Sequence, residues 1–244
     1  MEENVLILGA TSDMAVAIAR QLASEGYSIT LAGRSTERLS ALAGDLRVRY
    51  KAMVSSAPFD ALDFAGHEKF YQSLPEKPDI VICIFGFLGD QPEAQKNWQH
   101  CAQIIQSNYT GAVSVLNVIA NDFERRKKGM IIGVSSVAGE RGRQSNYIYG
   151  SAKAGFSAYL GGLRNRLYHH GVHVLTVKPG FVKTKMIENI STPGLLTASP
   201  KKVAEKISQA IVKKTNTLYV LSIWGLIMFI IRAIPESIFK RLKM

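Results

Sequence analysis

The chain has 244 residues, 47% hydrophobic and 20% charged, with 20 Gly, 8 Pro and 2 Cys. That length fits one large α/β domain with enough apolar material for a core, and near-average composition excludes disordered and collagen-like sequence. Cys83 and Cys101 stand in unrelated contexts with no C-x-x-C pair. This excludes a disulfide framework and a zinc ribbon, predicts no metal, and fits a reducing cytoplasm. The opening Met1-Glu2-Glu3-Asn4 is acidic and is followed by an apolar run only a strand long, so no secretory leader is expected.

The formal net charge is +11, which points to a polyanionic partner. The cations cluster at Arg125 to Lys128, Lys201-Lys202, Lys213-Lys214 and from Arg232 through Lys243. None is interleaved with aromatics, and no helix-turn-helix or finger spacing is present, so nucleic acid is not an expected partner. The last cluster borders the most hydrophobic stretch of the chain. It reads as a membrane-surface signal.

Val5 to Leu8 is a short apolar run, typical of a strand buried on both faces. Gly9 to Asp13 forms a turn, and Met14 to Leu22 a helix ended by Gly26. Strand at Ser28 to Leu31, helix at Thr36 to Leu46, strand at Val48 to Val54 and helix at Phe64 to Leu74 follow. Asp79 to Phe85 is the next strand. Asn97 to Arg126 reads as one long helix or two abutting ones, and Met130 to Ser135 as a buried strand. Helix resumes from Ile148 to His170, strand from Val172 to Val177, helix from Lys201 to Lys214, and a short strand from Leu218 to Leu221. Repeated β-α units with apolar strands predict a doubly wound parallel sheet of about seven strands. One domain spans 1–221, and residues 222–244 form an apolar, basic tail.

The first strand-to-helix turn, Gly9-x-x-x-Asp13-x-Ala15, stands where backbone amides at a helix start can hold a pyrophosphate. Gly9 permits the tight turn, Thr11 and Ser12 offer hydroxyls, and Ala15 is small enough for close packing. Asp13 either places a carboxylate near phosphates or caps the helix. After the second strand, Ala32-Gly33-Arg34-Ser35 lacks the carboxylate that a ribose diol would engage. Arg34 instead can pair with a 2′-phosphate, which predicts NADP(H) over NAD(H).

Tyr149-Gly150-Ser151-Ala152-Lys153 puts a phenol and an ammonium one turn apart on a helix face. A nearby cation favours phenolate and brings the phenol below its usual value near ~10. A proton donor of that kind suits carbonyl reduction. Ser136 can orient the carbonyl oxygen, and Asn108 can anchor a water joined to Lys153.

Tyr149-x-x-x-Lys153, Ser136 and Asn108 before it, and Pro179-Gly180-x-Val182-x-Thr184 after the next strand together resemble the short-chain dehydrogenase/reductase family over residues 4–215. The resemblance implies a Rossmann-type sheet, a nicotinamide cofactor and no metal. It makes Tyr149 the acid/base and Lys153 the ribose contact that lowers the tyrosine pKa. Ser136 steadies the substrate oxygen, and Asn108 completes a proton relay. The cofactor residues it implies are Gly9, Thr11, Ser12, Asp13, Met14, Arg34, Asp60, Ala61, Phe85, Gly86, Tyr149, Lys153, Pro179, Gly180, Val182 and Thr184. Asp13 and Ala15 replace two turn glycines. In the segment after the fourth strand, Cys83-Ile84-Phe85-Gly86, only the glycine matches the family.

From Thr217 to Ile231 the tail is uncharged, and a second apolar turn follows Pro235. It is short for a bilayer span of about 20 residues. A pair of interfacial helices fits, with Trp224 at headgroup level and Arg232, Lys240, Arg241 and Lys243 on anionic lipid. A substrate lid or subunit contact is the alternative. Such tails resemble those of reductases of lipid-linked sugars. The expected activity is NADPH-dependent reduction of a carbonyl, or the reverse alcohol oxidation, on a lipophilic or lipid-linked substrate, possibly a sugar. A non-catalytic nucleotide-binding sensor or scaffold is the rival. A homo-dimer or tetramer is expected, in the cytoplasm or peripheral at the inner membrane face. The substrate pocket is expected from loops 87–97, 140–146 and 186–199.

Overall fold

Seven strands lie parallel in the order β3-β2-β1-β4-β5-β6-β9: β1 (Asn4–Leu8), β2 (Ser28–Gly33), β3 (Val54–Pro58), β4 (Ile80–Cys83), β5 (Gly129–Val134), β6 (Val172–Lys178) and β9 (Thr217–Tyr219). The computed structural model describes residues 3–188 and 191–243, so Asn189 and Ile190 of the expected pocket loop, with Met1, Glu2 and Met244, lie outside them. β1 is central, with Val5 opposite Ile29 on one side and Ile80 on the other.

Strand alternation divides the core into two layers. Val5, Ile7, Ile80, Ile82 and Ile132 face α1 (Asp13–Ser24), α2 (Thr36–Tyr50) and α8 (Pro200–Lys213). Leu6, Leu8, Val81, Cys83 and Ile131 face α3 (His67–Gln72), α6 (Gly111–Arg126) and α7 (Tyr147–Leu167). The chain reverses its winding between β1 and β4. Ligands of open α/β sheets bind at that switch point, beyond the strands' carboxyl ends.

The expected strand over Val48 to Val54 is corrected. α2 runs through Tyr50 and ends at Lys51, whose backbone is left-handed at φ 57°. Val48 is exposed, Arg49 pairs with Asp45 one turn back, and Arg47 Nε donates to Val54 O at 2.9 Å. The i,i+4 pair of Arg49 with Asp45 and the reach of Arg47 to Val54 carry the helix past an apparent strand start. The long helix is real but interrupted: α5 (Trp98–Ile105) passes through a π turn at Gln106–Thr110 into α6. A short α4 (Gln91–Lys96) and a two-stranded ribbon of β7 (Phe181–Val182) and β8 (Thr197–Ala198) were not legible in advance. The tail forms α9 (Ile223–Ala233) and α10 (Glu236–Phe239).

Candidate active site

The turn after β1 is tight because Gly9 adopts φ 90° and sits against Phe85; a β-carbon on it would lie 2.8 Å from the Phe85 backbone nitrogen. The Gly9 and Ala10 N–H groups both donate to Ala32 O, at 2.9 and 3.0 Å. Ser12, not Asp13, caps α1, its Oγ accepting from Ala15 N–H at 3.2 Å. Asp13 instead accepts from the Lys185 N–H at 2.8 Å, tying the turn to the segment after Thr184.

Beside this turn a cavity of about 500 Å³ gathers Gly9, Thr11, Ser12, Asp13, Met14, Arg34, Asp60, Ala61, Phe85, Gly86 and Thr184. Arg34 is exposed and has no ion-pair partner among the described residues. Asp60 accepts from Leu62 N–H at 3.0 Å, which fixes the loop that carries it. That loop is held from below by His67, whose Nε2 lies 3.0 Å from Asp60 O and Nδ1 2.8 Å from Ser114 Oγ. A carbonyl only accepts, so Nε2 carries the proton. The same cavity includes Arg38, which donates from Nη2 to Thr11 O at 2.8 Å. Sequence reasoning missed it, although it lies four residues beyond Arg34, in the first turn of α2.

A second cavity, of about 440 Å³, contains Ser136, Tyr149, Pro179, Gly180 and Val182 and shares Met14 and Thr184 with the first. Ser136 follows β5, and its Oγ caps a single turn by accepting from Ala138 N–H at 3.1 Å. Tyr149 and Lys153 lie in the first two turns of α7. Lys153 is buried, donates to Val134 O at 3.1 Å and has Nζ 5.8 Å from the centre of the Tyr149 ring. Tyr147, two residues before Tyr149, has no lysine four residues on, is 44% exposed and does not line the cavity.

Asn108 sits in the π turn with its side chain engaged. Oδ1 accepts from Phe87 N–H at 3.2 Å, while Nδ2 donates to Phe87 O at 2.6 Å and Ile104 O at 2.8 Å. It therefore pins the loop after β4. Gly86 stands between the two groups of the expected relay: a β-carbon there would lie 2.6 Å from Asn108 Oδ1 and 3.4 Å from Lys153 Nζ. No larger residue leaves both where they are.

Electrostatics correct one expectation. Burial pushes the Tyr149 phenol up to about 12, with a hydrogen bond to Ser136 pulling the other way. Burial outweighs the lowering expected from Lys153. It also pulls the lysine itself down to about 8, opposed by Cys83. The tyrosine is thus a fully protonated acid at neutral pH, and the lysine is the group that titrates near it.

The tail reaches this cavity through Trp224. Trp224 lines it, donates Nε1–H to Leu196 O at 3.0 Å and packs with Val137, Met228 and Ile231. Arg141 Nη1 donates to Ile231 O at 2.7 Å and Ile234 O at 2.6 Å, satisfying carbonyls at the end of α9. Its guanidinium also stacks 3.8 Å from the centre of the Phe239 ring and pairs with Glu236. Neighbouring Glu140 is buried between Lys178 and Arg232. Two consecutive charges in the loop after Ser136 therefore clamp the tail. A Glu-Arg pair facing a charge-poor helix was the available signal.

A doubly wound sheet with a glycine turn after β1 and a serine, tyrosine and lysine at its switch point defines a class, the dinucleotide-dependent oxidoreductases. Residues 3–193 match the family model for short chain dehydrogenase, and the chain belongs to that family as an NAD(P)-dependent oxidoreductase. It is 34% identical over 243 residues to an uncharacterized oxidoreductase of Mycobacterium tuberculosis, covering 98% of this chain and 96% of the relative. Among solved structures it is similar in fold to a short-chain dehydrogenase from Sphingobium yanoikuyae in complex with NADPH, with TM-score 0.82, 22% identity and 96% and 97% of the two chains covered. A short-chain dehydrogenase from Burkholderia cenocepacia in complex with NADP gives TM-score 0.85 at 18% identity, covering 100% and 98%.

Proposed function

We propose that the protein is an NADPH-dependent reductase of a carbonyl on a lipophilic or lipid-linked substrate, with the reverse alcohol oxidation open to the same site. The observation that carries this reading is the meeting of Ser136 and Tyr149 in one cavity that adjoins the nucleotide turn. The residues fit a dinucleotide. Gly9 leaves no room for a side chain beside Phe85, and Arg34 and Arg38 stand in the same cavity as Thr11 and Ser12. Arg34, with Arg38, would hold a 2′-phosphate, and the NADPH and NADP complexes among the structural neighbours support that preference.

When bound, the nicotinamide supplies hydride. The chain supplies the rest. Ser136 positions the carbonyl oxygen, and Tyr149, neutral and protonated, delivers the proton to it. Lys153 holds a positive charge behind the tyrosine that stabilises the phenolate as it forms. Asn108 fixes Phe87 and, across Gly86, keeps the lysine side of the site in place for proton return.

The second part of the reading concerns the tail. One face of α9, through Trp224, Met228 and Ile231, is buried against the catalytic domain. The other exposes Ile223, Leu226, Phe229 and Ile230, at 46 to 64%, with Ile238 and Leu242 nearby. Exposed Arg232, Lys240, Arg241 and Lys243 flank them. Apolar residues rimmed by cations suit an anionic membrane surface, from which an apolar substrate enters beneath Trp224. No described helix is long and apolar enough to cross a membrane. A homo-oligomer completes the proposal, with exposed Trp98 and Tyr109 as contact candidates. The activity is tested by following NADPH oxidation with a panel of long-chain ketones and oxo acids. Turnover of any of them supports the reading, and NADH used as well as NADPH would remove its cofactor half.

A further inference from the structure

We propose that Arg143 and Gln91 bind an oxyanion carried by the substrate, in the cavity that holds Ser136 and Tyr149. This rests on the carbonyl-reductase reading of that cavity and adds a chemical class to it: the substrate is amphipathic, an apolar carbonyl compound bearing a carboxylate, sulfonate or phosphoryl group.

Three buried side-chain atoms of the described residues have no hydrogen-bond partner: Gln91 Nε2, Arg143 Nε and Asn146 Oδ1. All three residues line this one cavity. Buried polar groups are nearly always paired, so three orphans among the residues of one lining mark hydrogen-bonding capacity that the chain itself leaves unmet there.

The identity of each group narrows the ligand. Gln91 begins α4 and is 9% exposed; its Oε1 accepts from Ile148 N–H at 3.1 Å, which leaves Nε2 as a donor. Arg143 reaches Val137 O only at 3.5 Å and has no carboxylate partner among the described residues. Burial holds its pKa below the usual arginine value, yet a guanidinium stays charged in proteins. Arg143 is half-buried, and a cation partly withdrawn from water without a counter-charge is well matched by an oxyanion that accepts paired hydrogen bonds from the guanidinium. Asp90, the acidic residue of the same lining, is exposed and accepts from Glu93 N–H at 2.7 Å, so it caps α4 rather than neutralising Arg143. Asn146 Oδ1 offers an acceptor for a hydroxyl or N–H of the same ligand. Leu88, Ile104, Val137 and Trp224 line the remainder and suit an alkyl chain.

The test compares matched substrates as ratios. NADPH oxidation is measured with a medium-chain oxo acid, its methyl ester, and the corresponding oxo sulfonate and oxo phosphonate, on the wild type, Arg143→Met and Arg143→Lys. The wild type should prefer an anionic member over the ester by about 10- to 100-fold in kcat/KM, mainly through KM. Arg143→Met should bring that ratio to within about twofold of unity, and Arg143→Lys should retain part of it. A variant that merely folds poorly moves acid and ester together and leaves the ratio alone. Equal use of acids and ester by the wild type, or a ratio that survives Arg143→Met, overturns the proposal. The three anions together tell which oxyanion is bound.

If no carbonyl is turned over, the reductase reading fails and binding decides the anion site. In a Trp98→Phe background, octanoate and octanol are titrated against the fluorescence of Trp224, which lines the cavity. Saturable quenching by octanoate that Arg143→Met weakens about tenfold or more supports the site. Indifference between octanoate and octanol overturns it.

Discussion

Trp224 Nε1 lies 2.0 Å from the point that a β-carbon on Gly180 would occupy. The turn after β6 and the helix α9, 44 residues later in sequence, are therefore one packed unit. Gly180→Val must displace the indole and should cost about 1–3 kcal/mol, in the range of overpacked cores. Gly44→Ala in α2, with no atom within 4 Å of the added carbon, should instead gain up to about 1 kcal/mol from helix propensity. Urea denaturation of both variants checks the contrast, and a Gly180→Val variant as stable as wild type would mean that α9 does not seat there.

The buried lysine gives two linked pH effects. Folded, Lys153 holds its proton only to about pH 8; its ordinary value is 10.5. Between these values the unfolded chain binds more protons, so stability rises with pH, and below about 8 the burial cost is present in full. Lys153→Met should therefore stabilise the nucleotide-free chain at pH 7 by up to about 3 kcal/mol, and the gain should fade toward pH 10.5. The reduction rate should show the counterpart. Tyr149, up at about 12, stays protonated throughout, so kcat/KM for reduction should be level at neutral pH and fall above about pH 8 as the lysine loses its charge. Parallel denaturation and rate profiles test both.

Cofactor choice should depend on Arg34. Arg34→Ala should weaken NADPH by roughly one to two decades and leave NADH nearly unchanged, since a charge-assisted pair is worth about 1.5–3 kcal/mol. Arg38→Ala should weaken both, because Arg38 also holds Thr11 O in the nucleotide turn. Titration of the two cofactors against each variant separates these effects.

Anionic liposomes should pellet the protein, and Phe229→Glu should release it, because Phe229 is exposed at 64% and lies away from the buried face. High salt should weaken the association without abolishing it. Cosedimentation that ignores Phe229→Glu would assign this face to a subunit contact or leave it without a partner.

The β-α alternation was legible because each strand is an apolar run buried on both faces, as in Val5 to Leu8 and Ile80 to Cys83. The proposed catalytic tyrosine and lysine were legible because their spacing on one helix is local. The third strand was misplaced because Val48 and Tyr50 look like strand residues, while the contacts that keep them helical run from Arg49 to Asp45 and from Arg47 to Val54. The direction of the tyrosine shift was misread for a related reason. A charge one turn away is visible in sequence, but the burial that outweighs it belongs to the assembled site. The same holds for the orphaned groups of Gln91, Arg143 and Asn146, whose shared cavity joins the start of α4 to a loop distant in sequence.

The most direct test of the account is NADPH-dependent carbonyl reduction by wild type and Tyr149→Phe, with NADPH binding measured on both. The phenol is the proposed proton donor, so the variant should bind NADPH with nearly unchanged affinity while its turnover falls by about 10²-fold or more. Turnover by Tyr149→Phe close to that of the wild type would contradict the account.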